Sequence, residues 1–589
     1  MLNKTFFLII VFSLSACGGG GSDNVGNSNS SSNDTIQTTD SDGDDVGDNA
    51  DALPNDVSEI ADSAGGGVSD IADAFPNDTS KTADSDENDV GDNARLDNSF
   101  FTEFSYNVID GGIEVTGCLL GCPEDLIIPS SIDEYSVIHI GATAFSEQGL
   151  KSVIIPDSVT NIGMDAFHTN QLTSIVIPDG ISAIEKDVFR DNRLQNVEIP
   201  DSVESIGYAA FSNNLLTSVI IPNSVTSIGE FAFNENQLES LNVPDSVTSI
   251  GLMSFAFNKL TNIKLSSNIT SIERNSFRDN SLTEVNIPIG VESIGYAAFS
   301  NNLLTSVIIP NSVTSIGEYA FKDNQLATLD IPDSVTNIGM TAFGNNKLIY
   351  VKLPNTITTI ERDIFRENLL TEIVIPSSVK SIGYAAFAKN LLTSITIPDN
   401  VISIGEWAFF ENEITEIVFG NGLTSIGKYA FSENDLNNVS IPNGIVSISK
   451  SAFADNALTS VVLPSGITNI GYAAFDNNLI QSIEIPATVN FIEEYAFSNN
   501  QLARITIPGS VNFIESYAFA ANQLSEVKFF GQRPVIASDV FKANAMSTIT
   551  YCSGARGWPG SVIEGITPTV DTTCTAVEYE PNDSVAQPV

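Results

Sequence analysis

Histidine is almost missing from this 589-residue chain: His139 and His168 are its two copies, and cysteine occurs five times. So small a supply leaves little material for metal clusters or imidazole-based catalysis, and neither His sits in a nucleophile or metal motif. Basic side chains are short too, 25 against 73 acidic ones, for a net charge of -48. A phosphate backbone is therefore a repelled partner, which argues against nucleic acid and leaves cations or basic surfaces favoured. The apolar run Phe6 to Leu14 is too short to span a bilayer as a mature helix.

What the chain has in excess is repetition. The twenty-eight letters VESIGYAAFSNNLLTSVIIPNSVTSIGE from Val203 to Glu230 recur without a change from Val291 to Glu318, an offset of 88. Within the block, Phe211, Asn214, Leu216, Pro222 and Ile228 are echoed by Phe233, Asn236, Leu238, Pro244 and Ile250, an offset of 22. A fixed period in the twenties marks a solenoid, whose single coil cannot bury its own apolar face and must stack on its neighbours. Phe stands at every 22nd position from Phe145 to Phe541, nineteen in all. At about 4.8 Å per coil the stack should be on the order of 90 Å long.

Inside one coil, Leu216, Val219 and Ile221 have the spacing of a short strand with its apolar side inward, ended by Pro222, which cannot donate to a ladder. Val225, Ile228, Ala232 and Phe233 follow at the irregular spacing of a turn-rich return path. Stacking in register predicts one parallel β-sheet and an apolar spine of Phe rings. Asn follows the Phe by three residues in eighteen of nineteen coils. An Asn amide both donates and accepts, so a ladder satisfying buried turn groups is the expected role. The Gly after Ile228 reads as a backbone requirement, although Glu185, Glu273 and Glu361 replace it.

The unit LTSVIIPNSVTSIGEYAFKDNQ, Leu304 to Gln325, resembles a repeat of the BspA-like leucine-rich-repeat surface proteins. That resemblance implies a leucine-rich-repeat solenoid of about nineteen coils over 126–545, capped by 100–125 and 546–575, with a tail at 576–589. It also implies bacterial surface exposure, binding of protein partners and no catalytic residues. The array departs from its consensus at Ser266 and Gly420, where Pro is expected, and in about five extra residues between Pro129 and Phe145.

The ends carry separate signals. Lys4, the apolar run and Leu14-Ser15-Ala16 before Cys17 resemble a lipoprotein signal at 1–16, with Cys17 as the lipidated residue. Gly18 at the next position implies an outer-membrane destination if the source is Gram-negative. Residues 17–99 are an acidic tether, with twenty Asp or Glu against Lys81 and Arg95, too poor in large apolar residues to pack a core. Within it, Asp40 to Asp56 resembles the calcium-binding repeats of thrombospondin type 3. Asp40, Asp42, Asp44, the Val46 carbonyl, Asp48 and Asp51 match the ligand spacing of a twelve-residue calcium loop. In the second copy Arg95 replaces the last carboxylate.

Phe101 to Cys118 alternates about a Gly-Gly turn and reads as a capping hairpin. Cys118, Cys122, Cys552 and Cys574 allow three pairings; some 430 residues of array between the two ends favour Cys118 with Cys122 and Cys552 with Cys574.

The expected function is a lipid-anchored cell-surface scaffold for adhesion or protein binding through the exposed strand face, where Tyr350, Lys352 and Glu372 stand. A structural spacer and a carbohydrate binder are the alternatives. The super-period places IEKDVFRDN, IERNSFRDN and IERDIFREN every fourth coil, so that Arg274, Arg278, Arg362 and Arg366, with Lys186 and Arg190, form cationic spots roughly 19 Å apart. They are candidates for an anionic partner, or else pair locally with Glu185, Glu273 and Glu361.

Overall fold

A computed structural model describes residues 103–576. Cys17 and the loop from Asp40 to Asp51 lie outside them. The described residues belong to one compact unit, Thr102–Val589, which holds a continuous apolar core, both end caps and both disulfides.

Phe145 to Phe541 form the core's spine. Successive rings are 5.2 to 5.9 Å apart and within 18° of parallel, and none is more than 1% exposed. Offset stacking of this kind adds to the stabilisation from burial alone. Leu216 and its equivalents pack beside the rings, also at 0% exposure in almost every coil.

The backbone of each coil is held by its neighbours in two opposite senses. Ladder donors point back: Thr248 N–H to the Thr226 carbonyl at 2.9 Å and Gly251 N–H to Ile228 at 2.8 Å. Turn donors around the Phe point forward: Phe231 to Leu252, Phe233 to Ser254 and Glu235 to Ala256, at 2.9, 2.8 and 3.1 Å. The forward set requires a left-handed residue on each side of the Phe, here Phe231 at φ 58° and Glu235 at φ 54°. That conformation is unfavourable for most side chains, and the three inter-coil bonds offset it.

On the strand side, segments such as Ser240–Asn242 and Asn262–Lys264 pair in parallel, but as two-stranded patches along much of the array. The return side, expected to be turns, carries a second and more regular ladder. Ser205–Ile206, Ser227–Ile228 and Ser249–Ile250 pair in register, and such pairs join into runs of four and five strands. One residue of each pair, Ile228 for instance, points inward at 2% exposure. Gly229 follows it because the coils approach closely there: a Cβ would lie 2.6 Å from the Gly207 carbonyl carbon.

The Asn ladder forms as expected. The Asn236 side chain accepts from Leu216 N–H at 3.0 Å and donates to the Phe211 carbonyl at 2.9 Å, both in the preceding coil. The exceptions to consensus are local. Ser266 donates its hydroxyl to Val247 and accepts from Asn268 N–H, and Gly420 sits where a Cβ would be 2.5 Å from Pro398. The extra residues of the first coil form a small antiparallel excursion, Ser131–Ile132 against Tyr135–Ile140, turned at Asp133 and Glu134.

Both caps extend the ladders, giving about 21 turns in all. At the first end, the hairpin Phe104–Ile109 and Gly112–Cys118 is present, its second strand lies parallel to Tyr135–Ile140, and Phe104 meets Phe145 edge-on at 6.3 Å. At the other, Thr548–Ser553 pairs with Glu526–Phe529 and Thr569–Thr575, and Trp558 seals the core at 1% exposure. Its indole stacks on Tyr551 at 5.1 Å and donates to the Gly531 carbonyl at 3.1 Å. Cys118 is bonded to Cys122 and Cys552 to Cys574, the pairing favoured from sequence.

Candidate partner-binding surface

Most strand-side segments bury their central residue and expose the two flanking it, Ile263 and Ile417 being half-buried exceptions at the centre. Tyr350 and Lys352 flank Val351 in the strand Tyr350–Lys352, and Glu372 occupies Tyr350's place one coil on. Tyr350 is 46% exposed. Lys352 Nζ lies 3.2 Å from Asp330, which holds the ammonium above its usual range, chiefly through that hydrogen bond. The face also carries exposed β-branched side chains, including Val176, Ile220, Ile308 and Val374, each about four-fifths exposed. Such a surface is extended and shallow, with hydroxyls, scattered charges and apolar side chains interleaved.

The cationic candidates lie elsewhere. Arg274 and Arg362 follow the return-side strands Ser271–Ile272 and Thr359–Ile360, so the fold does not bring them together with Tyr350, Lys352 and Glu372. They are locally engaged, but by groups the sequence reading did not select. Arg274 lies over the Tyr296 ring at 4.6 Å, and Arg362 over Tyr384 at 4.4 Å. Arg278 pairs with Asp279 at 2.7 Å, and Arg362 and Arg366 pair with Asp363 at 2.9 and 3.4 Å. The stacked Tyr is one coil ahead in each case, a relation visible in the 22-residue period had it been applied between these two residue types.

Sequence reasoning also missed a groove of about 580 Å³ near the last coils, lined by Ile483, Glu484, Ile485, Pro508, Gly509 and Phe530 among others. Its signal was the substitution of Ala487 and Gly509 after Pro where Asp or Asn commonly stands, and of Phe530 for Pro itself.

His168 meets Asp191 at 3.0 Å and the hydroxyl of its chain neighbour Thr169 at 3.2 Å, both through Nε2. Among the described residues no group of three or more His, Cys, Asp or Glu could hold a metal ion, and no helix is long and apolar enough to cross a membrane.

Stacked coils with a shared core and an exposed ladder face define a leucine-rich-repeat solenoid, a class whose extended surfaces serve binding. The chain matches the BspA type leucine rich repeat region in six overlapping copies, 125–236, 182–303, 248–370, 292–413, 358–480 and 447–562, and it belongs to that family. No curated protein matches it. Among solved structures it is similar to a leucine-rich repeat protein from Bacteroides ovatus ATCC 8483, at 20% identity over 70% of this chain and 95% of that one, with a TM-score of 0.41. It is also similar to YopM from Yersinia enterocolitica WA-314, at 18% identity over 72% and 90%, with a TM-score of 0.36. A third similarity is to the pneumococcal vaccine antigen PcpA, at 20% identity over 66% and 94%, with a TM-score of 0.32.

Proposed function

We propose that the chain is a lipid-anchored bacterial surface scaffold that binds protein partners through its strand-side face. The observation that carries this reading is the continuous exposed face itself, which repeats the same in-out alternation over the array and offers an extended partner many shallow contacts. Tyr350, Lys352 and Glu372 are its proposed centre. Lipid on Cys17 would hold the molecule at the membrane, the acidic segment 17–99 would carry the repeat unit away from it, and calcium at Asp40, Asp42, Asp44, Val46, Asp48 and Asp51 would stiffen that tether. An outer-membrane location belongs to the same proposal. The carbohydrate alternative needs open aromatic faces, and on the return side many rings are covered by one another or by a cation instead: Trp407 stacks on Tyr429 at 4.3 Å, Tyr495 on Tyr517 at 5.1 Å, and Arg362 lies over Tyr384 at 4.4 Å.

The test is capture from surface extracts on immobilised residues 102–589, beside a variant carrying Tyr350→Ala, Lys352→Glu and Glu372→Lys. A protein retained by the native face and lost from the variant supports the reading. An enriched glycan would favour the carbohydrate binder, and no enrichment the spacer. Labelled fatty acid incorporated by the full chain and lost in Cys17→Ser tests the anchor.

A further inference from the structure

The four-coil period orders charge as well as sequence. At the position following the Gly, Glu or Ser after each return strand, the blocks read cation, Tyr, Glu and a fourth, variable residue: Lys186–Tyr208–Glu230–Leu252, Arg274–Tyr296–Glu318–Met340, Arg362–Tyr384–Glu406–Lys428 and Lys450–Tyr472–Glu494–Ser516. The four leading cations are exposed, and the Glu side chains are exposed or half-buried. Each leading cation is seated on the Tyr of the next coil, at 5.4, 4.6, 4.4 and 4.8 Å, so the column is fixed in place. The fourth copy, at Lys450, lies outside the three similar motifs visible in the sequence.

A row ordered cation, Tyr, acid becomes acid, Tyr, cation when read backwards. Two copies of the chain laid antiparallel with Met340 on the two-fold axis therefore oppose Arg362 to Glu318 and Arg274 to Glu406, each reciprocated. Further out they oppose Lys450 to Glu230 and Lys186 to Glu494, with Tyr296 against Tyr384 and Tyr208 against Tyr472. Four of the column's five cations meet an acid, the fifth, Lys428, facing Leu252, and the pairing is self-complementary as a two-fold interface demands. Other partners fail on the same column: a polyanion would face its Glu residues and a polycation its Lys and Arg. Arg362 uses Nε on Asp363, which leaves the rest of its five-donor fork for a second carboxylate.

We propose that this column is a homodimer interface, with two copies packed antiparallel about Met340 and their strand-side faces left free. The fifteen coils from Lys186 to Glu494 at about 4.8 Å make a strip roughly 70 Å long, which at about 12 Å width covers about 800 Å² per copy, the size of a standard interface.

Sedimentation equilibrium of residues 102–589 tests it, since this unit contains the whole described core and both caps. The native unit should show twice its chain mass at about 0.15 M salt, where repulsion between the two acidic bodies is screened beyond about 8 Å, and return to one chain mass as salt rises to about 0.5 M, where the exposed pairs are screened too. Arg274→Glu with Arg362→Glu, and separately Glu318→Arg with Glu406→Arg, should each give one chain mass while keeping the native melting transition. Mixed in equal amounts, the two variants should regain the doubled mass, because reversed acids then face reversed cations. A native unit that stays monomeric to about 100 µM, a doubled mass that survives either variant alone, or folded variants that fail to pair on mixing would each overturn the proposal.

Discussion

The backbone N–H of Phe541 donates to the carboxylate of Glu564 at 2.6 Å. Phe541 ends the series of turn donors that point forward, and where every earlier coil finds a carbonyl of the next, this one finds a side chain from the cap. Burial pushes the Glu564 carboxyl above its usual range, partly countered by that same hydrogen bond.

Glu564→Ala should therefore leave the Phe541 donor unmet and destabilise the last coils by about 1–3 kcal/mol, whereas Glu564→Gln keeps an acceptor and should cost little. A raised folded pKa means this group's contribution is fully present below its unfolded value and is lost as pH rises through the raised one. Glu564→Gln should abolish that dependence. Trp558 fluorescence during denaturation reads both effects; equal loss in the two variants would show that Glu564 acts by packing alone.

In mid-array the same need is met by Asn236, which serves Leu216 and Phe211 together. Asn236→Ala strands a buried donor and a buried acceptor, for an expected loss of about 3 kcal/mol. Asn236→Asp keeps the acceptor but turns a carboxylate oxygen toward the carbonyls of Phe211, Phe233 and Asn234, so it should be the worse variant at neutral pH and recover in acid. Hydrogen exchange should show the loss confined to adjacent coils, because repeats touch only their neighbours.

The last strand should respond to acid. Lys528 Nζ, 2.6 Å from Asp571, together with Thr573, lowers that carboxyl to about 2. With the folded value below the unfolded one, its contribution is present above the unfolded pKa of about 4 and is lost as pH falls toward 2. Exchange of the Thr569–Thr575 amides should accelerate over that window, with the strand still tethered by the Cys552–Cys574 disulfide. Asp571→Asn should remove the acid step; an unchanged profile would assign it to other carboxylates.

Calcium titration of a peptide spanning residues 18–99 should give saturable heat at about 10⁻⁴ to 10⁻³ M. Asp42→Asn with Asp48→Asn should abolish it. A response that survives those changes would be diffuse counter-ion binding.

The period, the Phe spine and the Asn ladder were determined by the sequence alone, which also favoured, among three possible pairings, the cysteine bonds that the structure contains. The first three are local requirements repeated eighteen or nineteen times over, and the cysteines are segregated from the array, so the signal adds up without any knowledge of the path between coils. Tertiary structure decided what depends on how one coil lies on the next. Ser227–Ile228 looks like a turn in isolation, and becomes a strand only because Ser205–Ile206 lies parallel beside it. Arg274 has Glu273 as its chain neighbour, yet its guanidinium rests on Tyr296, because stacking brings residues 22 apart within reach while adjacent side chains diverge. Glu564 was invisible for the same reason: its partner Phe541 is chosen by the end of a stack, where the periodic supply of carbonyls stops.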